Sequence, residues 1–212
     1  MKYLLVLFFG VLFFYACAPS EQQLYLFFFH NRYLENHLIE EPHPVHGNME
    51  YNEIIAAFEE AGFHVYSEIR KGNVNAREYA LRKVMQIDSL VASGVSPQNI
   101  SVVGTSKGGY IAQYVATLVD ADLNYVFVAS FQESDISSVS EIRWSGRVLN
   151  IYEKSDPFGV SAIARTHLSM SRIKEYQDYE LNTGMGHGFL FKENTGWIEP
   201  AIAWAKEGVR QN

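Results

Sequence analysis

The sequence predicts an α/β protein with a doubly wound, mostly parallel six-stranded sheet that is covered by helices on both faces. Short apolar runs of strand length alternate along the chain with longer segments of helical periodicity, a pattern typical of βαβ crossovers. Several of these runs are apolar throughout, as expected for parallel strands buried on both faces. The length of 212 residues suits one such domain.

The first half of this domain supplies two strands and two helices. Residues 24–29 (LYLFFF) form a continuous apolar run of strand length. A polar, histidine-rich loop follows over 30–48, and apolar residues then recur at helical spacing over 51–61. Residues 63–69 are predicted to form the second strand. A long amphipathic helix is predicted over 74–93, and the glycine and proline that follow should end it.

The second half supplies four strands and two helices. The predicted strands are 99–103, 124–129 (NYVFVA), 147–152 (RVLNIY) and the less apolar 174–181 (KEYQDYEL). Residues 106–119 and 197–207 have the apolar periodicity of helices. Each strand is therefore followed by a segment long enough to cross over the sheet.

The first seventeen residues predict export. Lys2 precedes an apolar run over 3–14, which is too short for a comfortable membrane span and typical of a secretory signal. The segment resembles the lipobox of bacterial lipoproteins, whose cysteine is lipidated, although Phe14 and Tyr15 depart from the usual pattern. The resemblance implies a lipid anchor at Cys17 that holds the protein on a membrane of the bacterial cell envelope, on the periplasmic face or at the outer membrane. A plain cleaved signal and an uncleaved anchor are the alternatives.

The predicted organisation is thus a signal peptide over 1–17, a short tether over 18–23 and one domain over 24–212. Cys17 is the only cysteine, so an intramolecular disulfide is excluded. The formal charge of −7 comes with no basic run, and we therefore expect no binding to nucleic acid.

A serine lies at the corner between the third strand and the helix that follows it. In VGTSKGG, Gly104 and Gly108 stand two residues on either side of Ser106, and Gly109 comes next. This Gly-x-Ser-x-Gly pattern is typical of a sharp strand-to-helix turn that presents a serine as a nucleophile, because side chains at the glycine positions would collide. The alternative is that the glycines only form a turn.

A serine nucleophile needs a base and a carboxylate that orients the base. His187 lies in a glycine-rich loop, NTGMGHGF, between the last strand and the last helix, where packing gives it little purpose. Asp156, in YEKSDPF, follows the fifth strand, although an Asp-Pro turn would also explain it. Asp135, in SFQESD, is the alternative carboxylate.

These three residues, in this order, resemble the α/β-hydrolase superfamily, and the resemblance covers the chain from Leu24 to the C-terminus. It implies a small serine hydrolase that lacks the usual first strand pair and a large lid, and that cleaves an ester or similar acyl bond of a small molecule without a cofactor. A peptidase or acyltransferase with the same triad is an alternative within this class. A catalytically silent binding module of the same fold on the cell envelope is the alternative outside it.

The resemblance also implies an oxyanion hole. One amide would come from Lys107, which follows the nucleophile. The second would come from the loop HNRY after the first strand, with Arg32 as the donor and Asn31 as the alternative. Asn31 stands where the family commonly has glycine, and asparagine tolerates the left-handed conformation better than most residues.

Two further groups of residues leave alternatives open. Histidines and carboxylates in the loop after the first strand could suggest a metal site. They are His30, Glu35, His37, Glu40, Glu41, His43 and His46. They form no complete ligand motif, and we therefore expect no metal site. Arg32, Arg70 and Lys107 all follow predicted strands. They either converge on a basic cavity mouth that favours an anionic substrate, or pair with Glu35 and Glu68 on a solvated rim.

Overall fold

The computed structural model describes residues 22–132, 134 and 141–210. Within them, one sheet contains six strands that all run parallel, and their order across the sheet is β2-β1-β3-β4-β5-β6. The strands are β1 (Leu24–Phe29), β2 (Phe63–Ser67), β3 (Ile100–Thr105), β4 (Asn124–Val128), β5 (Gly146–Glu153) and β6 (Ile173–Leu181). The predicted α/β class and the number of strands are confirmed.

The helices are α1 (Tyr33–Asn36), α2 (Tyr51–Glu60), α3 (Ala76–Ala92), α4 (Lys107–Leu118) and α5 (Ile198–Arg210). Most predicted bounds are shifted by one or two residues, and α5 continues three residues further than predicted. The sequence did not predict α1, nor the short 3₁₀ segments at 97–99, 163–169 and 186–191. Segments of this length contain too few turns to produce a periodic apolar pattern.

The side chains of β1 explain why an apolar strand needs no alternation. Leu26 and Phe28 face one side and belong to a core that includes residues of α2 and α5. Phe27 and Phe29 face the other side and pack in a second core with α3 and α4. Since successive strand residues point to opposite faces and both faces are covered, burial favours an apolar residue at every position. Each such phenylalanine contributes about 1.5–3 kcal/mol of hydrophobic stabilisation.

The less apolar β6 is an edge strand. It pairs only with β5 among the described strands, and most of its residues keep partial or full exposure. Polar residues are tolerated there because one side of the ladder and part of each face remain solvated. Its position therefore accounts for the weak strand pattern of 174–181.

The strand order creates a switch point between β1 and β3. From β1 the chain crosses to β2 on one side, and then returns to β3 on the other side. In parallel sheets of this kind, ligands bind beyond the carboxyl ends of the strands at such a point. The loop after β1 and the turn after β3, which carries Ser106, lie next to it.

The predicted signal segment 1–17, with Cys17, and most of the tether lie outside the described residues. Over the described part of the chain, none of the helices combines the length and the apolar character that a membrane crossing requires.

Candidate functional site

Ser106 occupies a strained turn between β3 and α4. Its backbone angles are φ 52° and ψ −118°, a conformation that non-glycine residues rarely adopt. The Ser106 N–H donates to the carbonyl of Val128 on β4 at 2.8 Å, and the Ser106 carbonyl accepts from Tyr110 N–H at 3.0 Å. The turn is thus held by β4 on one side and α4 on the other, and the serine side chain stays partly exposed.

The glycines around Ser106 are required by close backbone approach. A Cβ at Gly104 would collide with the backbone of Gly108, and a Cβ at Gly108 would collide with the carbonyl groups of Phe29 and His30. A Cβ at Gly109 would lie 2.5 Å from that of Ser130. The predicted steric reason for the Gly-x-Ser-x-Gly pattern is therefore seen in the structure.

Three predicted side chains form one hydrogen-bonded row across the carboxyl edge of the sheet. His187 Nε2 lies 3.0 Å from Ser106 Oγ, and His187 Nδ1 lies 2.6 Å from Asp156 Oδ2. An ionised carboxylate has no proton to donate and can only accept a hydrogen bond. Nδ1 therefore carries the imidazole proton, and Nε2 is left to accept from the serine hydroxyl. The Asp156 side chain is inaccessible to solvent, whereas that of His187 is 19% exposed.

Asp156 is oriented by its own loop. Its N–H donates to the Glu153 carbonyl at 2.9 Å, and its second carboxylate oxygen, Oδ1, accepts from Phe158 N–H at 2.9 Å. The Asp-Pro turn and the contact with His187 therefore occur together rather than as alternatives. Asp135, the other candidate for this role, lies outside the described residues.

The loop after β1, which lines the same cavity as Ser106, forms its turn in a way that the sequence did not predict. Asn31 does not have positive φ, since Ser106 and Ala129 are the two non-glycine residues of the described chain that do. Instead, Asn31 Oδ1 accepts from Tyr33 N–H at 3.0 Å and its amide contacts the sulfur of Met49. The turn at Asn31 is therefore formed by its side chain and not by the left-handed backbone that the sequence suggested.

His30 connects this loop to the segment after β2. Its ring is fully buried; Nδ1 lies 2.6 Å from the Asn31 carbonyl, and Nε2 accepts from Arg70 N–H at 2.8 Å. One nitrogen therefore donates and the other accepts, which only the neutral imidazole can do. Burial, followed by the nearby charge of Arg70, lowers the pKa of His30 to about 3.

A buried carboxylate from the segment after β1 joins two cationic residues, one that follows β2 and one that follows β3. Glu35 Oε1 accepts from Arg70 Nε at 3.2 Å, and Glu35 Oε2 accepts from Lys107 Nζ at 2.6 Å. The side chains of Glu35 and Arg70 are inaccessible to solvent, and that of Lys107 is 16% exposed. Arg70 and Lys107 therefore do not form a basic mouth, and their pairing with Glu35 is internal rather than on a solvated rim. Glu68 pairs with Lys83 at 2.9 Å.

A cavity of about 290 Å³ opens beside Ser106 and His187. Its other lining residues come from the histidine-rich loop, α1 and the segment before α5: Asn31, Arg32, Tyr33, Asn36, His37, His43, His46 and Phe191. Tyr33 stacks on His37 with 4.1 Å between ring centroids, and His43 stacks on His46 at 4.4 Å. Burial and the neighbouring His43 lower the pKa of His46. The wall is thus polar and aromatic, and it includes no carboxylate among the described residues.

The described residues contain no cluster of side chains suited to a metal ion. Their histidine and carboxylate side chains include no group of three or more that could hold an ion. His37 instead contacts Glu41 at 2.7 Å, while His43 Nδ1 accepts from the backbone N–H groups of Val45 and His46, both at 3.1 Å.

Sequence reasoning missed two groups that organise the site. It treated Glu35 as a rim residue and did not single out Glu153, which is buried and contacts both the loop of Asp156 and the loop of His187. A signal existed for Glu153, because it directly extends the apolar strand RVLNIY. A charge at the end of a buried strand indicates a satisfied polar group.

The His30 geometry predicts a pH-dependent stability. The unfolded imidazole titrates near 6.5 and the folded one near 3, so below pH 6.5 the unfolded chain binds a proton that the folded chain does not. Stability is therefore lost as pH falls from about 6.5 toward 3. Between pH 7 and 5 this group alone is expected to remove about 2 kcal/mol from the free energy of unfolding.

Urea unfolding at both pH values measures this loss. His30→Gln, whose amide offers one donor and one acceptor, should lose less stability over the interval than the wild type. His64, an exposed residue of β2, supplies the matched control, and His64→Gln should keep the wild-type dependence. An unchanged dependence in His30→Gln would contradict the assignment.

Comparison with solved structures agrees with this fold. SOBER1 from Arabidopsis thaliana matches with a TM-score of 0.56 and 15% identity, over 88% of this chain and 99% of that chain. An arylesterase matches with a TM-score of 0.61 and 14% identity, over 88% and 76%. The sugar hydrolase YeeB from Lactococcus lactis matches with a TM-score of 0.57 and 12% identity, over 92% of both chains.

No protein-family model and no curated protein sequence matches the chain. At this level of identity the structural likeness concerns the fold. The predicted fold is confirmed: the chain has the α/β-hydrolase fold, in which six parallel strands carry helices on both faces.

Proposed function

We propose that the protein is a serine hydrolase that cleaves an ester or a similar acyl bond. One observation carries the proposal, namely the row of Ser106, His187 and Asp156 with contacts of 3.0 and 2.6 Å on a strained turn. The arrangement has the geometry of a nucleophile, its base and the group that orients the base. Structural neighbours that are described as esterases and hydrolases support the same reaction class.

The proposed reaction has two steps. In the first, Ser106 Oγ attacks the acyl carbonyl while His187 Nε2 takes its proton, and Nε2 then delivers that proton to the leaving oxygen. In the second, His187 Nε2 removes a proton from water, which attacks the acyl-enzyme, and Nε2 then returns that proton to Ser106 Oγ as the bond to the acyl group breaks and the acid is released. Asp156 stabilises the imidazolium that forms in both steps, and its buried carboxylate makes this interaction stronger than it would be in water.

The negative charge on the carbonyl oxygen needs donors that are already oriented. The backbone amide of Lys107 is the first proposed donor, since it follows Ser106 at the start of α4. Arg32 and Asn31 both line the cavity next to Ser106, so either amide of this loop could supply the second. The contacts of His30 and Glu35 with their neighbours hold this loop against the turn that carries Ser106.

Substitution of the three residues tests the reaction. Ser106→Ala, His187→Ala and the double variant are expected to lower kcat for an aryl ester to a similar residual value, because groups that act as one unit lose activity non-additively. Asp156→Asn is expected to lower kcat by about 10³- to 10⁴-fold, because asparagine no longer fixes the Nδ1–H tautomer. Kinetics on an aryl ester and covalent labelling by a fluorophosphonate measure these effects.

Circular dichroism of each variant checks that the fold is retained. Asp135→Asn is the control for the aspartate, and it should change kcat much less than Asp156→Asn does. Full esterase activity in Ser106→Ala would overturn the proposed function, whereas a folded wild type that turns over no ester would favour a silent binding module of the same fold.

The cavity wall supports a preference for anionic acyl groups. Of Arg32, Arg70 and Lys107, Arg32 alone is exposed and lines the cavity, while Arg70 and Lys107 contact Glu35. The described lining contains no carboxylate, and among the ion pairs of the described residues none involves Arg32, so its charge beside the cavity has no direct acidic partner there. We therefore propose that Arg32 attracts a substrate with a carboxylate near the acyl carbon.

Two aryl esters of the same alcohol test this preference, one with a neutral acetyl group and one with a succinyl group. Arg32→Gln is expected to lower kcat/KM for the succinyl ester about threefold to fivefold, as an exposed charge pair contributes up to about 1 kcal/mol, and to leave the acetyl ester nearly unchanged. Added salt should reduce the difference. Arg77→Gln, at an exposed arginine of α3, is the control. Equal effects on both esters would contradict the preference.

The signal-like segment supports a proposed location on the bacterial cell envelope, held by a lipid on Cys17. Stable anchoring needs more than one acyl chain, which a lipoprotein-type modification supplies. Cys17→Ser is expected to remove the modification and release the protein from the membrane fraction of expressing bacteria. Fractionation and intact-mass measurement check this outcome, and unchanged mass and membrane association would show that Cys17 is not lipidated.

A further inference from the structure

Glu153 stands where the sheet stops and two functional loops begin. It is the last residue of β5, and its register partner is Leu181, the last residue of β6. Beyond this pair the two strands continue as separate loops, one with Asp156 and the other with His187. Glu153 is completely buried, so its carboxylate lies inside the junction between the loops.

The carboxylate accepts five hydrogen bonds, and they come from both loops. Oε2 accepts from the N–H of Thr183 at 2.7 Å and from its hydroxyl at 2.8 Å. Oε1 accepts from Gly184 N–H at 3.2 Å, and from the N–H and the hydroxyl of Ser155 at 3.2 and 2.9 Å. Among the ion pairs of the described residues, none involves Glu153.

Ser155 extends this network to the residue before His187. Its hydroxyl donates to Glu153 Oε1 and accepts from Gly186 N–H at 3.1 Å. Ser155 directly precedes Asp156, and Gly186 directly precedes His187. A continuous set of hydrogen bonds therefore links the backbone next to the carboxylate of the row with the backbone next to its imidazole.

The ionised form of Glu153 suits these contacts. Burial alone would raise the pKa of Glu153, but the hydrogen bonds from Thr183 and Ser155 outweigh it and lower the pKa. A carboxylate can accept at every lone pair, whereas a glutamine would point two N–H groups at donors. A glutamine of the same shape would therefore fill the space and break part of the network.

We propose that Glu153 is a positioning residue that fixes the separation of Asp156 from His187. The inference rests on the proposed function, because the spacing of Asp156 and His187 matters for activity only if these residues are catalytic. A displacement of about 1 Å of the imidazole that must take the serine proton can lower a rate by about a hundredfold. Besides the pair at 2.6 Å and the bond from Lys154 N–H to the Leu181 carbonyl at the end of the β5–β6 ladder, every hydrogen bond between the two loops in the described residues involves Glu153 or Ser155.

The test compares Glu153→Gln with the wild type in three measurements. We expect kcat for an aryl ester to fall about tenfold to a hundredfold with KM changed less than twofold, and fluorophosphonate labelling to slow in parallel. The third measurement is the proton NMR signal of the His187 Nδ1–H, which should shift or disappear. Ser155→Ala keeps the carboxylate but removes the bridge to Gly186, and it should give the same changes in weaker form.

Glu180→Gln is the matched control, since it makes the same substitution at an exposed residue on the neighbouring strand, and it should leave all three measurements unchanged. Kinetics are measured far below the urea midpoint of each variant, so a loss of stability alone would not lower kcat. If Glu153→Gln does not fold, Ser155→Ala decides in the same way.

Two failures remain distinguishable. If the wild type neither turns over esters nor reacts with the fluorophosphonate, the proposed function fails, and the NMR signal alone tests the positioning. An unchanged His187 signal in folded Glu153→Gln would then overturn the inference. If the wild type is active, wild-type kcat in Glu153→Gln together with an unchanged signal would overturn the positioning and leave the proposed function intact.

Discussion

The buried carboxylate of Glu35 holds together the half of the candidate site that contains Ser106 and the loop after β1. It is inaccessible to solvent and is shared by Arg70 and Lys107, so a single buried group connects the segments that follow β1, β2 and β3. Removing charges from water is expensive, and a buried carboxylate persists only where cations and donors replace its hydration. Glu35 can therefore stay buried only while Arg70 and Lys107 remain in contact with it, which requires the three segments to keep their spacing.

A second buried carboxylate, Glu153, has the same relation to the other half of the site. A parallel sheet brings the carboxyl ends of its strands to one edge, but its hydrogen bonds stop where the strands end. Proton transfer needs the groups beyond that edge to be placed within a fraction of an ångström. Beyond the ends of the strands, Glu35 and Glu153 connect the loops by hydrogen bonds and ion pairs. His187 links the two halves of the site through its contacts with Ser106 and Asp156.

The sequence predicted what depends on local pattern. The strands and long helices, the glycines around Ser106, and the order of Ser106, Asp156 and His187 could be read because period, sterics and chain order are visible in neighbouring residues. The burial of Glu35 could not, since its partner Arg70 lies 35 residues away and charged residues are usually exposed. The neutral state of His30 likewise depends on a contact with Arg70, 40 residues along the chain. The asparagine at position 31 suggested left-handed backbone, but the side chain forms the turn instead.

Backbone strain at the edge of the sheet follows the same logic. Ser106 and Ala129 have φ of 52° and 47° although neither is glycine, and they follow the adjacent strands β3 and β4. Such conformations cost about 1–3 kcal/mol each and persist only where the surroundings over-determine them. Here the N–H of each residue donates to a carbonyl of the next strand, Ser106 to Val128 at 2.8 Å and Ala129 to Ile151 at 2.9 Å. The ladder thus continues one residue into each strained turn, and the sheet itself holds the serine side chain at the cavity, toward the imidazole of His187.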